Sequence, residues 1–141
     1  MEKLYGNAKL VKGFRIDVDD GRSHAICLDL QRDEGGTDMG PSGLELALMS
    51  YAGCYALIFA LTAQKMRIKI EDLGVKAEGL KSEEEGTITE VNFNVTVKTD
   101  GREDRIQRIH EITAKDCPVG IIFDRAGTKT TYKISIEKAS A

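Results

Sequence analysis

The residues of this chain best suited to covalent chemistry are its three cysteines, Cys27, Cys54 and Cys117. An odd number at wide spacings is not the disulfide framework of a small secreted protein. A reducing cytoplasm is the expected compartment, and there a cysteine is either a working thiol or an inert core residue. Cys54 lies in "LMSYAGCYALIFAL", residues 48–61, which has no charge and no proline. Cys117 precedes Pro118 and a short helix, so the positive end of that helix is expected to stabilise its thiolate. Cys54, mid-helix, gets no such help. For Cys54 to react, a cation must lower its pKa, and a loop arginine, Arg32 or Arg22, is the natural source. Cys27 sits on the strand face opposite Ile26 and Leu28 and reads as incidental. On spacing alone, a redox pair and two packed core thiols both remain open.

Other chemistries find little support. "GGTDMGPS", residues 35–42, has the spacing of a phosphate-binding loop before a helix. Pro41 stands where the lysine belongs and lacks even an N–H, so the stretch reads as a flexible lead-in. Zinc has no CxxC or HExxH, and the two histidines, His24 and His110, fall in different elements. His110 is expected on the solvent side of its helix. "LMSYAG" around Ser50 lacks the glycines of a nucleophile elbow. No metal and no cofactor are expected. The net charge of −3 and the absence of a Lys/Arg run argue against nucleic acid. No apolar run follows the N-terminal "MEKLYGNAKL", so no signal peptide is expected. Residues 46–64 approach the length of a bilayer span. However, they include Ser50, Gly53, Thr62 and Gln64, with two tyrosines mid-run rather than at the ends. A buried helix of a soluble protein is expected, with no membrane contact.

The elements that must position these thiols follow from periodicity. The 141 residues suit one domain, 1–141, with one core. Two strands joined near Gly13 and a third, "SHAICLDL", form a meander turned at "DDGR". A Gly/Pro loop, 32–43, leads to a helix from about Gly43 to Gln64, with Ser42 as N-cap and Glu45 in its first turn. "RIKIEDLGVKAEGL" reads as a strand region interrupted near Asp72 to Gly74. "TITEVNFNVTVKT" alternates cleanly, with Val91, Phe93, Val95 and Val97 on one face. Asp100 and Glu103 have capping-box spacing for a second helix ending near Asp116, with Ile106, Ile109 and Ile112 or Thr113 inward. Pro118 opens a third helix, and "TKTTYKISIEK" is a last strand. The expected class is α+β with an antiparallel sheet. The long helix is apolar on nearly every face and needs cover on every face. A second copy of the chain would supply it, so an obligate homodimer is expected.

"GPSGLELALMSYAGC", followed some sixty residues later by "KDCPVG", resembles the family of osmotically inducible protein C (OsmC) and organic hydroperoxide resistance protein (Ohr), nearest its OsmC-like branch. The resemblance covers most of the chain. It implies an intertwined α+β dimer, with antiparallel sheets around a long central helix carrying the cysteine and two active sites at the interface. It also implies a thiol-dependent peroxidase acting on organic hydroperoxides. Cys54 would attack the peroxide and become a sulfenic acid. Cys117 would resolve it to an intramolecular disulfide, which an external dithiol reopens. The family places an arginine and a glutamate beside the reactive thiolate. Glu45 takes the glutamate's place, Arg32 the arginine's by the OsmC pattern, and Arg22 by the Ohr pattern. The alternative is a non-catalytic OsmC-like stress protein that binds a small apolar ligand at the dimer interface.

Overall fold

The computed structural model describes residues 1–140. The chain divides into two compact units, Met1–Ala47 and Leu48–Ala141. In the first, β1 (Asn7–Lys12), β2 (Arg15–Asp19) and β3 (Ala25–Leu28) form an antiparallel sheet in that order. The Asp-Gly turn between β2 and β3 forms as its sequence suggests. Asp19 accepts from the Gly21 N–H at 2.8 Å, Asp20 from the Arg22 N–H at 2.9 Å, and Gly21 takes φ 75°.

The loop after β3 is not a loose lead-in. Asp29 is only 4% exposed. Its carboxylate accepts from Thr37 Oγ1 at 2.6 Å and from the N–H groups of Leu30, Thr37 and Met39. Gly36 and Gly40 let the loop lie on the carbonyls of Leu30 and Cys27, where any Cβ would collide. These hydrogen bonds, led by that from Thr37, hold the Asp29 carboxyl at about 2. A folded pKa below the unfolded value of about 3.9 stabilises the fold above that value, and the benefit is lost as pH falls toward 2. The urea midpoint is therefore expected to stay level from pH 7 to about 4.5 and to fall below it. Asp29→Asn is expected to flatten that acid limb, and an unchanged limb would contradict the assignment.

α1 spans Gly43–Lys65. Its start is a reciprocal capping box: Ser42 Oγ accepts from the Glu45 N–H at 3.2 Å, and Glu45 Oε1 accepts from the Ser42 N–H at 3.0 Å. Ser42→Ala is expected to cost about 1 kcal/mol, read as a shift of the urea midpoint at unchanged slope.

The second unit holds the sheet β4 (Ile70–Ser82), β5 (Thr87–Thr99) and β6 (Lys129–Glu137). β5 is central, and Val91, Phe93, Val95 and Val97 are buried on its inner face, as the alternation requires. β4 is one continuous strand. In place of the expected interruption there is a register shift between Ile70 and Asp72, and pairing runs on unbroken from Asp72 through Gly74. β6 pairs parallel to β5, not antiparallel. Two helices, α2 (Glu103–Asp116) and α3 (Pro118–Arg125), separate them and carry the chain back to the start of the sheet, which makes a parallel return possible.

α2 lacks the expected cap. Arg102 is its N-cap residue and gives no side-chain cap bond. Thr99 sets the turn instead, donating to the Lys69 carbonyl at 2.7 Å and accepting from the Gly101 N–H at 3.0 Å. Ile106, Ile109 and Thr113 of α2 are buried.

Within α1 the buried stripe is Tyr51, Tyr55, Phe59 and Thr62, joined by Ala63. It packs on the sheet through Tyr51–Phe93 and Tyr55–Tyr132 ring contacts, with centroids 4.7 and 5.7 Å apart. Met49, Leu57 and Leu61 stay exposed, Leu57 by 72%. By length and composition α1 is long and apolar enough to cross a bilayer. Among the described residues, the side of α1 that carries Tyr51, Tyr55 and Phe59 is covered and the side that carries Leu57 and Leu61 is open.

Candidate active site

Cys54 sits in the middle of α1, half-buried, on the same side as Tyr51 and Tyr55. Cys117 links α2 to α3 and is 1% exposed. Its N–H donates to the Thr113 carbonyl at 2.9 Å, ending α2, and it is the N-cap residue of α3, with Pro118 opening the next helix. Its Sγ accepts from the Gly120 N–H at 3.4 Å. Cys54 lies near enough to the Cys117 thiol to help raise its pKa. Two cysteines more than sixty residues apart are thus brought together as free thiols.

The start of α3 favours the Cys117 thiolate as expected, but burial outweighs it. Burial pushes the thiol up to about 11. The N–H groups of Gly120 and Val119 pull the other way, and Cys54 adds to the rise. Desolvation of a thiolate in a nearly closed site outweighs the amides of one short helix. Cys117 is therefore a protonated thiol at neutral pH, suited to a second step.

Around the thiols lies a cluster that pattern reading overlooked. The Tyr55 hydroxyl and His110 Nδ1 are 2.7 Å apart. The Tyr51 hydroxyl lies 3.3 Å from that of Tyr132 and donates to Thr130 Oγ1 at 3.4 Å. Phe93 and Tyr132 stack at 5.1 Å, and Tyr51 stacks on Phe123 at 4.6 Å. Burial drives the Tyr55 hydroxyl well above the usual phenol range, with the charge of Cys117 as a second cause. Tyr132 moves the same way, through burial and then its Tyr51 partner. His110 is not a solvent-side histidine. It is half-buried, its ring lies edge-on to Tyr132 at 4.8 Å, and burial lowers its pKa against the pull of Glu111. The signal was present: His110 is three residues before Thr113 and seven before Cys117, on the inward stripe of α2.

Arg22, Arg32 and Glu45 belong to the first unit, and Cys54 and Cys117 to the second. Arg22 is exposed, with a 3.3 Å ion pair to Asp20. Arg32 opens a 3-10 turn, Arg32–Glu34, is exposed, and makes no ion pair among the described residues. Glu45 closes the α1 cap. Cys27 is half-buried in β3, and its thiol donates to the Leu28 carbonyl at 3.5 Å. Among the described residues no group of three or more His, Cys, Asp or Glu is placed to hold a metal.

Residues 35–133 match the model of the family described as OsmC-like protein. The chain belongs to the OsmC/Ohr family. Solved structures agree on the fold. The OsmC-like protein of Mycoplasma pneumoniae superposes with a TM-score of 0.85 at 18% identity, over 96% of this chain and 98% of that one. An organic hydroperoxide resistance protein of Legionella pneumophila reaches 0.66 at 16% identity, over 97% and 98%. The organic hydroperoxide resistance protein OhrB of Bacillus subtilis reaches 0.63 at 16%, over 95% and 98%. No curated protein matches the chain. In this OsmC/Ohr member, then, the family's α+β fold with its long helix carries the thiol pair just described.

Proposed function

We propose that this OsmC/Ohr protein is a thiol-dependent peroxidase that reduces organic hydroperoxides. The observation carrying the reading is the proximity of Cys54 to Cys117, two free thiols from distant parts of the chain, the first of which helps raise the pKa of the second. Cys54 is the half-buried member and so the one open to substrate, while Cys117 is enclosed. The Cys54 thiolate attacks the distal peroxide oxygen, the O–O bond breaks, and the alkoxide leaves as an alcohol after taking a proton. Cys54 is left as a sulfenic acid. Cys117 then attacks the Cys54 sulfur. An S–S bond forms, the S–O bond breaks, and the departing hydroxide combines with the thiol proton as water. An external dithiol reopens the disulfide by exchange. Arg32 or Arg22 serves as the activating cation, with Glu45 as its carboxylate. The working unit is a cytoplasmic homodimer, in which a second copy covers the apolar side of α1 that carries Leu57 and Leu61. The names of the Legionella and Bacillus neighbours point the same way.

Cys117→Ser separates the two steps. It is expected to consume one equivalent of organic hydroperoxide per chain, hold Cys54 as a sulfenic acid that a dimedone-type probe captures, and cycle at least about tenfold more slowly with dithiothreitol. Wild-type cycling in this variant would contradict the role given to Cys117.

A further inference from the structure

Gly120 stands in the first turn of α3 and is buried. Glycine is a poor helix former, so its place in a helix calls for a reason. The surroundings supply one. A Cβ at this position would lie 3.2 Å from Tyr51 Cε1, 3.4 Å from Cys117 Cβ and 3.5 Å from Cys117 Sγ. Tyr51 has little freedom to yield. Its ring is stacked on Phe123 and set edge-on to Phe93, and its hydroxyl is tied to Tyr132 and Thr130. The Gly120 N–H meanwhile points at the Cys117 sulfur from 3.4 Å.

We propose that Gly120 is a positioning residue for the resolving thiol: its bare Cα lets the Tyr51 ring close on the turn, and its N–H holds the Cys117 sulfur in line for Cys54. The proposal rests on the peroxidase reading for its meaning, because the step it serves is the attack of Cys117 on oxidised Cys54. In that step the Cys117 thiolate forms the S–S bond while the S–O bond of the sulfenic acid breaks, and the thiol proton leaves with the hydroxide as water. An N–H that stabilises the thiolate acts on this step and not on the earlier attack of Cys54 on peroxide. A side chain at position 120 would move the sulfur, the N–H, or both.

The test uses the full chain with Cys27→Ser, so that two thiols remain. Ellman's reagent converts Cys54 to a mixed disulfide and releases one equivalent of thionitrobenzoate. Attack by Cys117 on that disulfide releases the second. Gly120→Ala is expected to slow the second release at least tenfold and leave the first within twofold. It is also expected to move the pH midpoint of the second release upward. The titratable groups around Cys117 are Cys54, Tyr51 and Tyr55 on α1, Tyr132 on β6, and His110 on α2 behind Tyr55. All of them are retained in Gly120→Ala. Adding Tyr51→Leu, which removes the atom nearest the new methyl, is expected to restore most of the rate. Alanine is the better helix former, so a purely structural role would appear in melting temperature, which is expected to hold. A second release within twofold of the parent, or equal slowing of both releases, would overturn the proposal. A parent that never makes the second release would overturn both this and the peroxidase reading. A parent that makes it, yet forms no sulfenic acid with hydroperoxide as Cys117→Ser, would overturn the peroxidase reading alone.

Discussion

Cys54→Ser is expected to lower the turnover of an organic hydroperoxide, with dithiothreitol as reductant, by at least about a thousandfold, or roughly 4 kcal/mol of transition-state stabilisation. The reason lies in the nucleophile. A thiolate displaces on the peroxide O–O bond, whereas a serine hydroxyl stays protonated at any workable pH and is far less nucleophilic. The replacement is nearly the same size and sits mid-helix on a half-buried face, so folding should survive. Cys27→Ser is the matched control. Cys27 lies in β3, in the first unit, with only a weak bond to its neighbour's carbonyl, and its loss is expected to leave turnover within about twofold. A Cys54→Ser protein that keeps full turnover would place the nucleophile elsewhere.

Phe93→Ala is expected to destabilise the protein by about 3–5 kcal/mol, read as a fall in the urea midpoint at constant slope. Phe93 is 1% exposed in the central strand β5. Its ring meets Tyr51 at 4.7 Å, Tyr132 at 5.1 Å and Tyr55 at 5.4 Å. Truncation removes a buried aromatic and leaves a cavity that three rings, each tied by a hydroxyl bond to another element, can only partly refill. Of these rings Tyr51 and Tyr55 border Cys54 on α1, and Tyr51 also packs on the turn that holds Cys117, so the variant is also expected to slow disulfide formation between Cys54 and Cys117. A loss under about 1 kcal/mol would mean the α1–sheet packing is not as tight as these contacts indicate.

The legible features were those governed by local rules. The alternation of β5, the inward stripe Ile106, Ile109 and Thr113, the Ser42 cap and Pro118 at the head of α3 all read directly from residue order. The errors came where a distant partner decides. Asp29 carries no special mark in the sequence, and only the folded loop shows four hydrogen bonds, from Leu30, Thr37 and Met39, gathered on its carboxylate. Asp100 had the right spacing for a cap, but Thr99 reaches the Lys69 carbonyl across the sheet and sets the turn first. The parallel pairing of β6 depends on where α2 and α3 deliver the chain, which no strand pattern records. At the site, the two thiols were visible, together with the motifs around them. The sign of the Cys117 shift was not, because helix-end charge can be read from sequence and burial cannot. Tyr55 and His110 were missed for a related reason: their bond joins α1 to α2 across fifty-five positions.

The most direct test of the account is peptide mapping by mass spectrometry after one molar equivalent of an organic hydroperoxide, without reductant. The account predicts the loss of two free thiols per chain and a linked Cys54–Cys117 peptide, with Cys27 still reduced and the link opened by dithiothreitol. Three reduced cysteines after complete exposure to the peroxide, or a linkage through Cys27, would contradict it.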